Sequence, residues 1–518
     1  MFKRILRVLF SRTVLFVLLA ALQVGVFLLV LESFAHVGTE TYMALNVFAV
    51  LVLLVVLEKD DLNPTYKTWW ILMIALLPLF GALLYLLWGH RHVPARVRSR
   101  MEATETRADE AMRQNPEVLA ALHTDDVAMG QCAGYLLRCA AAPVYPAGDV
   151  KYYPLGHDFF PHFLESLRRA EKYIFMEYYI VEPGYMLDEI VSVLCEKAAQ
   201  GVDVRFLWDG VGSLFTLPRS YERKMCEGGI QCRTFYPVHP TIHLSEYAMF
   251  NHRDHRKIAV VDGEVGFSGG LNIADEYINR KERFGLWKDT CVMLRGEPVY
   301  SLTTTFLRMW DFTSGACSPM EQFRPPVREA GACGLSRGYV QPFADTPLDG
   351  ENVSESAYFN IIRTAHSYVY ISTPYLILDN EMVTYLTLAA KSGLDVRILV
   401  PGIPDKIPVY WATQSYYRVL LEGGVRLYEY TPGFNHAKMY VSDDAMAIVG
   451  SANMDYRSLY LHFENCVAFY GGETPRQVKQ DMLDCFAVSH EVSLDEVRSA
   501  GLWRRGRQVV AKLFAPML

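Results

Sequence analysis

The 518 residues contain ten cysteines, and none of them forms a C-x-x-C pair. No histidine stands beside them at zinc-ligand spacing, so the common structural metal sites are excluded. Scattered at 132, 139, 195, 226, 232, 291, 317, 333, 466 and 485, they read as ordinary buried thiols of a reducing compartment. Charge is scarce as well: charged residues make up 21% of the chain against 51% hydrophobic, and the net charge is −7. A nucleic-acid protein usually carries a basic face, so this balance argues against that class. A chain this long exceeds what one core organises, and two or more domains are expected.

What is abundant is apolar sequence at one end. Thr13 to Leu31 has one polar interruption, Gln23; shorter and longer runs follow at Thr41–Leu57 and Trp69–Trp88. About 20 apolar residues cross a bilayer core, so the first and third runs qualify and the second is marginal. The basic start (Lys3, Arg4, Arg7, Arg12) resembles a signal peptide, but the run is too long, lacks a small-x-small cleavage site and is followed by more apolar sequence. Residues 1–90 are therefore expected to be a membrane anchor of two or three spans. Lys and Arg are absent from Glu32 to Glu40, while Arg91, Arg96, Arg98 and Arg100 follow the third run. Two effective spans, with Pro78 and Gly81 interrupting a re-entrant third run, place both basic ends and the body on the cytoplasmic face.

Residues 91–140 are expected to be a charged helical spacer. The far end, "GLWRRGRQVVAKLFAPML", is basic and loosely amphipathic. It reads as a terminal packing helix, with a helix lying on an anionic membrane surface as the alternative.

Between these ends the chain says the same thing twice. "FLESLRRAEKYIFMEYYI" matches "YFNIIRTAHSYVYISTPYLI", and "KAAQGVDVRFLWDG" matches "LAAKSGLDVRILVPG". Each is a helix running into a buried strand, the second type through a glycine, and such units imply an α/β fold with a mostly parallel sheet. The repeats are expected at 141–330 and 335–518, joined by the Pro/Gly-bearing stretch from Ser318 to Gly334. A polar cluster in each copy invites one shared site on a pseudo-twofold axis.

Those clusters are "DHRKIAVVDG" and "FNHAKMYVSD", each H-x-K-x4-D followed by Gly-x-x-Asn, at Gly269–Asn272 and Gly450–Asn453. Residues two apart in a strand share a face, which puts His255 with Lys257 and His436 with Lys438. Two imidazoles, two ammonium groups and two amides around one point suit phosphodiester chemistry. One imidazole attacks phosphorus and the other protonates the departing alcohol, while Lys257, Lys438, Asn272 and Asn453 stabilise the equatorial oxygens. This chemistry calls for no metal and no cofactor. Asp262 and Asp443 complete the motif, and their place at a strand end favours binding turn amides over direct chemistry.

The paired motif resembles the double "HKD" signature of the phospholipase D superfamily at His255, Lys257, Asp262, Gly269, Asn272 and at His436, Lys438, Asp443, Gly450, Ser451, Asn453. More narrowly the chain is similar to the bacterial cardiolipin synthases, in "NPTYKTWWILMIALLPLFGALLYLLWG", "NHRDHRKIAVVDG", "GGLNIADEY" and "GSANMDYRSLYLHFENC". The first copy departs in having Gly270 where the second has Ser451, so a hydroxyl at the substrate phosphate is available from one half only. The resemblance implies two phospholipase D-like α/β domains, each a mixed sheet flanked by helices. It further implies that Glu464 orients one histidine, with Asp289 the first half's candidate for that task. It also implies transfer of a phosphatidyl group between two phosphatidylglycerol molecules, with membrane and anionic phospholipid as partners and no nucleic acid. A hydrolase with the same site and water as acceptor is the alternative; a nuclease has no use for the apolar first hundred residues, and a scaffold has none for two complete motifs. If Glu464 partners the histidine of its own half, His436 is the easier to hold protonated and serves as the acid, which leaves His255 as the nucleophile.

Overall fold

A computed structural model describes residues 21, 24–26, 38–59, 63–89, 93, 95–237, 251–325 and 337–515. The chain divides into two compact units, one built mainly from residues 1–98 and one from 99–237 and 252–516.

In the first unit, the run Thr41–Leu57 lies within the helix Gly38–Glu58. The third run is not one helix. Asn63 caps Pro64–Leu76 by accepting from the Thr65 amide, Pro78 opens a second helix, Pro78–Leu84, and Tyr85–Gly89 continues as a π turn. Proline cannot donate to the preceding turn, so the break falls where it must. Trp69, Trp70, Ile74, Phe80 and Tyr85 form this unit's core with Val52 and Val56. Among the described residues no helix is long and apolar enough to cross a membrane; the run Thr13–Leu31 lies almost wholly outside them.

The second unit carries eighteen strands among its described residues: β1 Tyr145–Pro146, β2 Val150–Tyr153, β3 Tyr173–Tyr178, β4 Asp203–Asp209, β5 Gln231–Phe235, β6 Lys257–Val261, β7 Val265–Gly269, β8 Leu286–Lys288 and β9 Cys291–Arg295 in the first half. The second half adds β10 Tyr339–Asp345, β11 Tyr368–Ser372, β12 Asp395–Pro401, β13 Arg426–Tyr430, β14 Gly433–Asn435, β15 Met439–Ser442, β16 Met446–Gly450, β17 Glu464–Tyr470 and β18 Ser489–Val492. One sheet runs β2-β9-β7-β6-β3-β4-β5, and the other runs β1-β10-β17-β16-β15-β11-β12-β13-β18. Dropping β1 and β18 from the second leaves the order of the first, strand for strand.

Within the two large sheets the parallel pairs are β3-β4-β5 and β11-β12-β13, formed through the helix–Gly–strand units; the strands after the H-x-K motifs run antiparallel to β3 and β11. The expectation of a mostly parallel sheet thus gives way to a mixed one, because β6-β7 and β15-β16 are hairpins, and a short turn reverses the chain. Strands β3, β6, β11 and β15 are buried along their whole length, as near-continuous apolar runs covered on both faces are. Helices such as Gly156–Arg168 and Tyr185–Ala199 bury Phe163, Ile190 and Leu194 against the first sheet.

From Ser99 on, the expected spacer is part of this body. Helices Ala95–Ala111, Pro116–Asp125 and Val127–Ala140 bury Met101, Ala108, Val118, Leu122, Ala133 and Leu136. Arg107 pairs with Asp311 at 3.3 Å, and Gln341 Nε2 donates to the Ala133 carbonyl at 3.0 Å. The expected join between the repeats falls partly on residues 326–336, outside the described ones.

Candidate active site

Each histidine sits just ahead of its strand, not in it. β6 begins at Lys257 and β15 at Met439. What holds the histidines is backbone from the opposite half. The His255 amide donates to the Phe463 carbonyl at 2.9 Å, and the Phe463 amide returns to Arg253 at 2.9 Å. The residue after Phe463 is Glu464, whose carboxylate oxygens lie 2.9 and 3.0 Å from His255 Nδ1. The other half repeats the device. β14 pairs in parallel with β8, the His436 amide donates to the Lys288 carbonyl at 2.7 Å, and Asp289 Oδ2 lies 2.6 Å from His436 Nδ1. Gly433 allows this approach, since a Cβ there would lie 2.1 Å from the Leu286 carbonyl oxygen.

Glu464 therefore serves His255 and Asp289 serves His436, each across the halves. The within-half pairing from which His255 was read as the nucleophile does not occur; each imidazole has a carboxylate at Nδ1, which favours the Nδ1–H tautomer with Nε2 turned to the site, and at His436 that nitrogen also lies 2.8 Å from Lys438 Nζ.

The cluster is buried: Glu464 and Asp289 are fully enclosed, and His255 and His436 are 6% and 7% exposed. Tyr179 meets the His255 ring edge-on, while Tyr277, Trp287 and Phe434 surround His436. Burial pushes His255 well below the usual histidine range, with Glu464 opposing and Lys257 reinforcing the shift. His436 is pushed down to about 4 by burial, with the Lys438 charge reinforcing it and Asp289 opposing. Burial lowers Lys257 to about 7 and Lys438 to about 8, against the pull of Glu464 and Asp289 respectively. Burial acts to raise Glu464, but the facing His255 and Lys257 overcome it and hold the carboxyl well below its usual range. The resting site thus has an ionised Glu464, neutral imidazoles and lysines poised near neutrality. Each histidine takes its carboxylate from the other half, at 2.9 and 2.6 Å, so the two clusters interlock.

Other predicted residues stand one step back. Asp262 accepts from the amides of Glu171, Lys172 and Tyr173 at 2.8, 2.7 and 2.8 Å. Asp443 does the same for His366, Ser367 and Tyr368 at 2.5, 2.9 and 3.0 Å. Both have positive φ, 55° and 52°, a left-handed turn that aspartate tolerates. Lying at the far end of strands that run away from the histidines, they are anchors for the turn before β3 and β11 and not groups at the reacting centre.

The three residues expected to bind substrate phosphate have other partners. Asn272 accepts from Ile180 N at 3.0 Å and donates to Tyr277 Oη at 2.7 Å; Asn453 donates to Asp455 at 3.0 Å. Ser451 Oγ donates to Glu464 Oε2 and accepts from the Asn465 amide at 3.0 Å. Buried polar groups are normally satisfied; Asn272 and Ser451 are satisfied by holding the loop and the carboxylate, whereas Asn453 Oδ1 has no hydrogen-bond partner among the described residues. Gly270 takes the serine's place in the first half because a Cβ there would stand 2.1 Å from Asp289 Oδ1.

Two residues escaped the sequence reading. Arg253 forms a buried pair with Asp209 at 2.9 Å and holds the loop that carries His255. His462, 8% exposed, has its ring 5.4 Å from that of His255 and its Nδ1 3.8 Å from Glu464 Oε1, with no hydrogen-bond partner on either nitrogen. Donor atoms of His255, His462 and Glu464 lie within 4.8 Å of one another, close enough to hold a metal ion. A lone histidine two residues before Glu464 carries no spacing signal, so only the fold could reveal it.

This geometry, two half-sites on matched mixed sheets with paired His-Lys motifs, defines a phospholipase D-type enzyme. The family described as cardiolipin synthase, PLD-like domain, matches residues 163–310 and 358–485, and the phospholipase D-nuclease N-terminal family matches 44–90. The chain belongs to the cardiolipin synthase family. It is 33% identical over 511 residues to cardiolipin synthase of Halalkalibacterium halodurans, covering 96% of this chain and 99% of that one. To cardiolipin synthase 2 of Bacillus anthracis it is 34% identical over 467 residues, 89% of either chain. A protein of Streptococcus mutans described as uncharacterized is 40% identical over 453 residues, 87% of this chain and 96% of that one. Among solved structures, phosphatidylserine synthase of Haemophilus influenzae shares the fold with a TM-score of 0.57 at 16% identity, over 75% of this chain and 97% of that one.

Proposed function

We propose that the chain makes cardiolipin and glycerol from two phosphatidylglycerol molecules through a phosphohistidine intermediate at the His255–His436 site. The observation that carries the reading is the pair of imidazoles, each with Nδ1 on a carboxylate, beside two buried lysines. One Nε2 attacks phosphorus, and the bond from phosphorus to the headgroup glycerol breaks. The other imidazole, as imidazolium, gives its proton to the departing oxygen, so glycerol leaves neutral. A hydroxyl of the second phosphatidylglycerol then loses its proton to that now neutral imidazole and attacks phosphorus, breaking the N–P bond and releasing cardiolipin. The incoming phosphodiester brings the negative charge that lets one imidazole hold a proton in so dry a place. Lys257 and Lys438 stabilise the charge that develops on the equatorial oxygens. Asn272, Asn453 and Ser451 act by holding the loop and Glu464.

The reading further places residues 1–90 in the membrane and the catalytic body on its cytoplasmic face. The break at Pro78 supports a third run that enters without crossing, and the basic residues at both ends support the sidedness.

The test is to express the protein in cells that lack cardiolipin and to analyse their lipids, then to incubate it with labelled phosphatidylglycerol. Cardiolipin and free glycerol are expected. Free phosphatidate without cardiolipin would make it a hydrolase. Quenching during turnover and digesting under alkaline conditions is expected to leave label on the peptide carrying His255 or His436, and label on neither would overturn the covalent step.

A further inference from the structure

The helix Leu502–Leu513 is packed the wrong way round for a terminal packing helix. An ordinary surface helix buries its apolar stripe against its own protein and shows its polar face to water. Here Arg507 lies over the Trp411 ring at 4.9 Å and Lys512 over Tyr416 at 4.5 Å, with Ala511 buried between them against the helix Ile407–Gln414. The opposite face is apolar and open. Leu502, Trp503, Val509 and Val510 are 85%, 79%, 68% and 57% exposed, and Leu513 is 41% exposed. At about 100° per residue, these five fall within an arc of roughly 120°. A Cβ added at Gly506, on the same arc, would meet nothing within 4 Å. On the neighbouring helix Ile407 is 56% exposed.

A stripe of this size left in water is costly and marks a contact surface. We propose that it is a membrane-docking surface, with the apolar face of Leu502–Leu513 lying in the headgroup and upper acyl layer of a bilayer rich in anionic lipid. The charge pattern selects this occupant over a second copy of the chain. Arg505 and Arg507 border the stripe, each about 40° beyond one of its edges, whereas the chain as a whole carries a net charge of −7. Two such molecules meeting stripe to stripe would bring these arginines together, whereas phosphate headgroups would neutralise them. Trp503, an amphipathic ring near the helix start, suits the interface. The choice of a lipid surface also rests on the reading of the chain as a phospholipid enzyme. Docked in this way, the helix would hold the catalytic body against the bilayer, at a place in the sequence remote from the N-terminal runs.

The test uses the full chain reconstituted in vesicles of phosphatidylglycerol and phosphatidylcholine, and compares tryptophan emission with that of Trp503→Phe. The difference isolates Trp503 from the other tryptophans. With brominated lipids that difference signal is expected to shift to the blue and to lose most of its intensity, less so in vesicles of phosphatidylcholine alone. A Trp503 signal that stays red and unquenched would overturn the proposal. So would one that is blue already in detergent and untouched by bromolipid, which is the signature of a protein partner. The readout needs no turnover, so an inactive preparation that still shows quenching would count against the proposed reaction and not against the surface.

Discussion

His255 and His436 each face a carboxylate that the other half supplies, at 2.9 and 2.6 Å, and each is followed two residues on by a buried lysine. Alanine at either histidine is expected to abolish product while leaving folded yield unchanged, because the relay needs both partners; appreciable turnover by either variant would show that one imidazole suffices. Alanine at Lys257 or Lys438 is expected to slow the reaction on the order of 100-fold, as loss of an oxyanion donor does. The lysines also set a pH dependence. A lysine carries its charge only below its pKa, so the stabilisation is complete at low pH and is lost as pH rises through about 7 for Lys257 and about 8 for Lys438. The value of kcat/KM, which reports the free enzyme, is expected to fall over that window. The limb in kcat should lie higher, because bound phosphate holds the protons on. A kcat/KM profile flat from pH 6 to 9 would remove the lysines from this role. The histidines and lysines were legible as residues because they recur in register, whereas the two carboxylates came from the family resemblance, Glu464 standing 11 residues after Asn453 and Asp289 17 after Asn272. Their pairing was not, since nothing in linear spacing says that Glu464 crosses to His255.

At the scale of elements, the turns before β3 and β11 hang on single aspartates, with three amides each on Asp262 and Asp443. Replacing either by alanine is expected to cost about 2 kcal/mol or more in stability, measured by urea unfolding, as a charged acceptor of several bonds is lost. Asparagine should recover part of this, since its carbonyl oxygen still accepts. If the alanine variants instead keep full stability and lose only turnover, these aspartates belong to the chemistry. The strand-end reading of these residues was available from the sequence, because a carboxylate next to glycine or a second aspartate after an apolar run is a turn signal. The start of the strands was misplaced by two residues or more, because the histidines are drawn out of their own sheet by β-bridges to the other half.

At the scale of the molecule, the three helices between residues 95 and 140 behave as a third layer of the catalytic body. Ala133 is fully buried and its carbonyl holds Gln341 of β10. Ala133→Asp, harmless in a spacer, is therefore expected to destabilise the body by roughly 3 kcal/mol or more through an unpaired buried charge, with a lowered Tm and little soluble enzyme. Charge and alanine content made this segment look like a linker; its apolar residues, spaced along short helices, meet partners some 200 residues away that no local pattern announces.

By itself the sequence determined the duplicated α/β plan, the two His-Lys motifs, the phosphodiester chemistry and the apolar N-terminal region, because each of these is written in local periodicity or in spacing that recurs. Only the tertiary structure decided that carboxylate and histidine pair across the halves, that Asn272 bonds Ile180 and Tyr277 while Ser451 bonds Glu464 and Asn465, that the sheets are mixed, and that the last helix turns its apolar face outward. Those are contacts between residues far apart in the chain, and which groups meet there depends on how two sheets and their hairpins pack, not on any neighbour along the sequence.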